Sequence, residues 1–121
     1  MISKLKKIIN KKNKSKIICI TSYSKNVAEA IDPYTDIILV GDSLGSVLYN
    51  YSTTRKVTLD QMIEHSKSAR LGIKNSLMVV DMPYRTYKNK KVALKNAKRI
   101  LRETKCDAVK LEGGSLIINV I

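Results

Sequence analysis

The chain has 121 residues, 44% of them hydrophobic and 27% charged, a balance that fits one small globular domain with a modest core. Its longest apolar runs, IICI, IILV and LMVV, fall far short of the roughly 18 residues of a membrane helix. The formal charge of +13 is mostly lysine, gathered over Lys4–Lys16 and Lys88–Lys105 without interleaved aromatic residues, which argues for solvated helix faces and against a nucleic-acid partner.

The N-terminal segment ISKLKKIINKK carries Ile2, Leu5, Ile8 and Ile9 at helical spacing and predicts a short amphipathic helix. It lacks the apolar stretch of a signal peptide and the arginines of a transit peptide, so a cytoplasmic location with no membrane partner is expected. KIICITS, residues 16 to 22, is a compact β-branched run and reads as a buried strand. Ser24 is placed to cap the helix KNVAEAI, which Asp32-Pro33 then ends. DIILVG, residues 36 to 41, is the second strand.

Residues 42 to 57 show little periodicity and read as a loop. Thr58 opens TLDQ, a capping box, and Met62, Ile63, Ser66 and Ala69 mark the buried side of the helix that follows. Gly72 is expected to supply a left-handed stop. SLMVVD, residues 76 to 81, is the third strand, ended by Pro83. Ala93, Ala97, Ile100, Leu101 and Thr104 share one face of a helix between Asn89 and Lys105. AVKLE, residues 108 to 112, is a fourth strand, and LIINVI after Gly113-Gly114-Ser115 starts another helix. The widely spaced Cys19 and Cys106 suggest neither a disulfide framework nor a zinc site, and both are expected to be buried or half-buried free thiols.

This order is helix, then β-α-β-α-β-α-β-α, over residues 1 to 121 as a single domain. Continuous apolar strands alternating with helices specify parallel pairing with both faces covered. In such an array the C-terminal strand ends share one face, where sites form. Three strands end in acids: Asp42, Asp81 and Glu112. Converging carboxylates repel unless a cation lies between them, and oxygen-only ligands favour Mg²⁺. The bland alternative is that each acid caps a helix or pairs with a lysine. Lys110 lies two residues before Glu112 and so points to the same side of the sheet, suited either to an anionic substrate or to neutralising Glu112 or Asp81.

VGDSLG, VVDMPY and VKLEGG, in this order and spacing, resemble the ketopantoate hydroxymethyltransferase family. TSYS and KVTLDQMIEHSKSARLG also resemble it, so the similarity runs from about Lys16 to Gly114. The resemblance implies a TIM-type (β/α)₈ barrel that transfers a hydroxymethyl group from 5,10-methylenetetrahydrofolate to 3-methyl-2-oxobutanoate in pantothenate biosynthesis. It implies Mg²⁺ at Asp42, Asp81 and Glu112, and the keto acid at Asp42, Ser43, Asp81 and Lys110. Ser43 is then a hydrogen-bond donor to substrate and not a nucleophile. Tyr23, Tyr49 and Tyr51 could line the rim, though half-buried packing is the expected role of each. The family usually has an aspartate where this chain has Ser24.

A barrel of this type takes roughly 250 residues. The sequence is therefore expected to correspond to the N-terminal half, about four βα units, with the family's glutamate base beyond Ile121 and no transfer activity by itself. The full enzyme is expected to be a homo-oligomer. Competing readings are another Mg²⁺-dependent 2-oxo-acid C–C lyase barrel and a basic nucleic-acid module. A serine esterase is disfavoured because His65, the lone histidine, sits inside a helix without the Asp-x-x-His spacing such a site uses.

Overall fold

The computed structural model describes residues 2–121, with the side chain of Ile2 outside the described residues. Four strands form one sheet in the order β1 (Cys19–Thr21), β2 (Ile37–Val40), β3 (Leu77–Asp81) and β4 (Ala108–Lys110), all neighbours parallel. The helices are α1 (Ile2–Ile9), α2 (Lys25–Ile31), α3 (Leu44–Tyr49), α4 (Leu59–Gly72) and α5 (Lys90–Thr104). Sequential parallel strands with helical crossovers are the arrangement of successive βα units in a TIM-type barrel. No helix among the described residues is long and apolar enough to cross a membrane.

One face of the sheet carries the core. Ile38 and Val40 of β2 and Met78 and Val80 of β3 are fully buried, packed with Met62, Ile63 and Ala69 of α4, Ile100 of α5 and Ala28 of α2. Each such aliphatic side chain contributes roughly 1.5–3 kcal/mol on burial. The opposite face is more open: Ile37, Leu39 and Val79 are only half-buried. The expectation of two covered faces therefore holds for one. β1 departs further, because all three of its residues are exposed, Cys19 included. It is an edge strand, paired on one side only, so its apolar run is not buried as its composition suggests.

The helix boundaries follow local chemistry. Thr58 and Gln61 form the reciprocal capping box, and Asn89 accepts from the Val92 N–H to start α5. Lys105 ends α5 in the left-handed region at φ 55°. Ser24 sits at the N-terminus of α2 but its side chain makes no cap bond. The Lys25 N–H donates instead to Ser68 Oγ on α4, 3.2 Å away. α2 ends at Ile31, as the Asp32-Pro33 pair predicts, and the chain continues as a 3₁₀ turn over Asp32–Tyr34. Within the expected loop lies α3, whose helical run ends at Asn50 with φ 53°. The final expected helix is a 3₁₀ turn, Gly114–Ile117. Leu101, placed on the buried face of α5, is 38% exposed.

Gly72 is not a left-handed stop. It is the buried last residue of α4, and an added Cβ would lie 2.4 Å from the Lys25 carbonyl oxygen and 2.6 Å from the Glu29 nitrogen. The glycine is there so that α4 can touch the backbone of α2. Gly72→Ala should therefore destabilise the fold by about 1–3 kcal/mol in urea denaturation. A neutral effect would mean that the two helices part without cost.

At the N-terminal ends of the strands, acids brace backbone. Asp36 accepts from the Ile18 N–H and Lys11 Nζ, and Asp107 accepts from the Met78 N–H. The buried Asp32 takes the backbone N–H groups of Lys74, Asn75 and Ser76 at 2.8–3.1 Å, together with the Asn75 side-chain amide. Burial alone pushes this carboxyl up, but the Ser76, Asn75 and Lys74 donors outweigh it and hold its pKa below the ordinary value. Its stabilisation is thus complete above the unfolded pKa near ~3.9 and is lost as pH falls through the lower folded value. Asp32→Asn turns an acceptor into a donor facing N–H groups and should cost about 1–3 kcal/mol at pH 7. The stability gap to wild type should narrow below about pH 4. A gap that stays constant to pH 3 would show that the ionised carboxylate is not its source.

Candidate active site

The parallel pairing brings the C-terminal ends of β2, β3 and β4 to one rim. Asp81, the last residue of β3, is 5% exposed and lies opposite Lys110 of β4 in register. Lys110 Nζ is 2.9 Å from Asp81 Oδ1 and 2.8 Å from Glu112 Oε1. The contact to Glu112 is a hydrogen bond. The contact to Asp81 is an ion pair without hydrogen-bond alignment, so the buried Oδ1 has no aligned donor. Asp81 Oδ2 accepts from the Asp42 N–H at 3.2 Å, which sets the two acids side by side. Gly41 lies close against both side chains: a Cβ there would stand 3.1 Å from Ser43 Oγ and 3.4 Å from Asp81 Oδ2.

The charges are in tension. Burial raises the Asp81 pKa above the ordinary carboxylate value, the nearby Asp42 charge adds to this, and Lys110 with the Asp42 N–H only partly opposes it. Burial works to lower the Lys110 pKa, but its bonds to Glu112 and Asp81 prevail and raise it. Lys110 in turn holds the exposed Glu112 below its usual value. The lysine thus serves two acids at once.

Ser43 is held from the side of β1. Its Oγ lies 2.7 Å from the Tyr23 hydroxyl, so Tyr23 does more than pack. The Tyr23 carbonyl is 3.1 Å from His65 Nδ1; a carbonyl only accepts, so Nδ1 carries the proton. His65 Nε2 then accepts from the Tyr49 hydroxyl at 2.9 Å. Tyr49 stacks on Tyr51 at 5.4 Å, and Tyr51 accepts from the Gln61 amide. A run of contacts therefore links the capping box of α4 to Ser43. His65, inside α4 as expected, is a member of this network through both ring nitrogens.

A cleft of about 330 Å³ opens at this rim, lined by Asp42, Arg55, Tyr84, Tyr87 and Glu112 among others. A larger cavity, of about 580 Å³, lies beside Tyr23, Val27, Val47 and Leu48. Its one acid, Glu64, is already bonded to Lys67, so it lacks the convergent charges of the rim. The functional assignment follows the charges and not the volume.

Asp42, Ser43, Asp81 and Lys110 are thus brought together, with Glu112 drawn toward Lys110. Among the described residues no three His, Cys, Asp or Glu side chains gather as a metal-binding group. Two carboxylates are nonetheless a suitable set for Mg²⁺, which keeps several waters and leaves room for substrate oxygens. The Oδ1 of Asp81 fits such a cation, because it is a buried anionic oxygen whose one polar contact is the Lys110 ammonium.

The Tyr23–Ser43 contact is open to a double-mutant cycle. Tyr23→Phe and Ser43→Ala should couple by about 0.5–1.5 kcal/mol in denaturation experiments. Strictly additive effects would show that the two hydroxyls do not interact.

Comparison with known proteins gives this geometry a setting. The family described as ketopantoate hydroxymethyltransferase matches residues 2–121. The chain is 64% identical over 121 residues to the 3-methyl-2-oxobutanoate hydroxymethyltransferase of Pelagibacter ubique, covering 100% of this chain and 47% of that protein. It is 45% identical over 111 residues to the enzyme of the same name from Agrobacterium fabrum, covering 91% of this chain and 40% of the relative. With the enzyme of that name from Helicobacter acinonychis it shares 45% identity over 104 residues, 86% of this chain and 38% of the relative. The chain thus spans less than half the length of these relatives. It belongs to the ketopantoate hydroxymethyltransferase family.

Proposed function

We propose that this chain serves the Mg²⁺-dependent transfer of a hydroxymethyl group from 5,10-methylenetetrahydrofolate to 3-methyl-2-oxobutanoate, giving 2-dehydropantoate. The observation that carries the reading is the buried Asp81 carboxylate beside Asp42, paired in register with Lys110 at the strand ends. The names of the relatives specify the keto acid and the group transferred.

In this reading Asp42 and Asp81 hold the cation, with Glu112 helping directly or through water. Bound there, Mg²⁺ supplies Lewis-acid polarisation of the 2-oxo group, which acidifies the C3–H bond. Lys110, free to exchange one of its two acid contacts, meets the substrate carboxylate by a charge-assisted hydrogen bond. The Ser43 hydroxyl, oriented by Tyr23, donates to the keto acid. Half-buried Leu39 and Val79 on the open face of the sheet give the site an apolar floor. The base at C3 is assigned to no residue of 2–121; family resemblance puts a glutamate in that role.

The test uses a chain of full family length carrying this segment. Asp81→Ala should abolish Mg²⁺-dependent exchange of the C3 proton for deuterium, followed by NMR without folate. Exchange at the wild-type rate would remove Asp81 from the metal site. Lys110→Ala should weaken keto-acid binding by about 10-fold or more, from the loss of a hydrogen bond to a charged group. Mg²⁺ affinity should change little in that variant. An equal loss of metal affinity would make Lys110 a structural counter-ion instead.

A further inference from the structure

Two arginines beside the rim cleft stand apart from the chain's other arginines. Arg70, Arg99 and Arg102 each pair with an acid: Asp107, Asp60 with Glu103, and Glu103 respectively. Arg55 and Arg85 make no ion pair among the described residues. Both instead lie against one ring: the Arg55 guanidinium is 4.8 Å and the Arg85 guanidinium 5.3 Å from the centroid of Tyr84. Arg85 adopts φ 67°, an uncommon backbone state for a residue of its size. Two positive groups on one exposed tyrosine repel each other, and the cation–π attraction of each is modest at such a site. An anion between or beside them would relieve that repulsion.

Arg55 and Tyr84 line the cleft that also holds Asp42 and Glu112. The cleft therefore combines two acids with a guanidinium-aromatic lip. Neither arginine approaches the Asp81–Lys110 pair closely enough to bond it, so the keto-acid carboxylate has a nearer partner in Lys110. The lip calls for a second ligand with carboxylates of its own. A guanidinium already resting against an aromatic ring loses less freedom when it takes a carboxylate bidentately.

We propose that Arg55 and Arg85, mounted on Tyr84, form the binding lip for the carboxylate-bearing tail of the folate co-substrate. The proposal rests on the functional reading above, and it adds residues that no part of that reading uses. Tyr84 holds the two guanidiniums beside the cleft, and the arginines fix the acidic tail outside it. The methylene carbon is thereby aimed inward, toward the keto acid.

The experiment compares Arg55→Gln, Arg85→Gln and the double variant in a full-length chain, by two measurements. The first is C3-proton exchange of the keto acid in Mg²⁺ without folate, which should stay at the wild-type rate. The second is steady-state transfer, in which KM for methylenetetrahydrofolate should rise on the order of 5–10-fold in the double variant, for two partly exposed charge pairs. KM for the keto acid should hold steady. Shortening the folate's glutamate tail should weaken binding to wild type more than to the double variant. An unchanged folate KM, or a rise confined to the keto acid, overturns the proposal. Absent exchange in the wild-type chain would instead overturn the functional reading, so the two failures are distinguishable.

Discussion

The carboxylate of Asp32 holds three successive backbone N–H groups just before β3, and the position of everything above depends on it. A strand shows alternate residues to opposite faces, so a slip of one residue exchanges its two sides. Fixing Lys74, Asn75 and Ser76 fixes which side each residue of β3 takes. Met78 and Val80 then enter the core, and Asp81 arrives opposite Lys110. A one-residue slip would put the carboxylate of Asp81 among the helices and Val80 at the rim. The buried carboxylate at one end of the strand thus decides the chemistry at the other.

The two ends of the sheet use the same residue type in opposite ways. At the N-terminal ends, Asp32 is saturated by backbone donors, while Asp36 and Asp107 each take one backbone N–H together with the cation of Lys11 or Arg70, which makes their charge structural. At the C-terminal ends, Asp81 has one backbone N–H on Oδ2 and only the Lys110 ammonium at Oδ1, and Glu112 and Asp42 lie near solvent. Carboxylates whose lone pairs are filled by amides have nothing to offer a ligand. The rim acids retain that capacity, and the high charge density they create is moderated by one shared lysine.

Much of this was legible in the sequence because it is local. Apolar runs gave the strands, Thr58 with Gln61 gave the start of α4, and the two-residue spacing of Lys110 and Glu112 put them on one side. What was not legible depends on groups far apart in the chain. Gly72 reads as a helix stop by type, yet its reason is the backbone of Lys25 and Glu29, brought close only by folding. The N–H of Lys25, the first residue of α2, finds Ser68 of α4 for the same reason. α3 was hidden because LGSVLY is too short to show a period, and its support comes from Val57 and Tyr51, packed closely over Gly45. The Arg55–Tyr84 pairing joins two loops whose sequences give no hint of each other.

The two cysteines turn the sheet's unequal cover into something a chemist can time. Cys19 is exposed on the edge strand, whereas Cys106 is buried where α5 gives way to β4, its thiol pushed up by burial. A thiol reagent meets the first directly and the second only when that junction opens. The ratio of the two labelling rates, corrected for thiolate fraction, is then an opening equilibrium read from the unmodified chain. Because Cys106 stands four residues before Lys110, the slower clock reports on the strand that carries the rim's lysine.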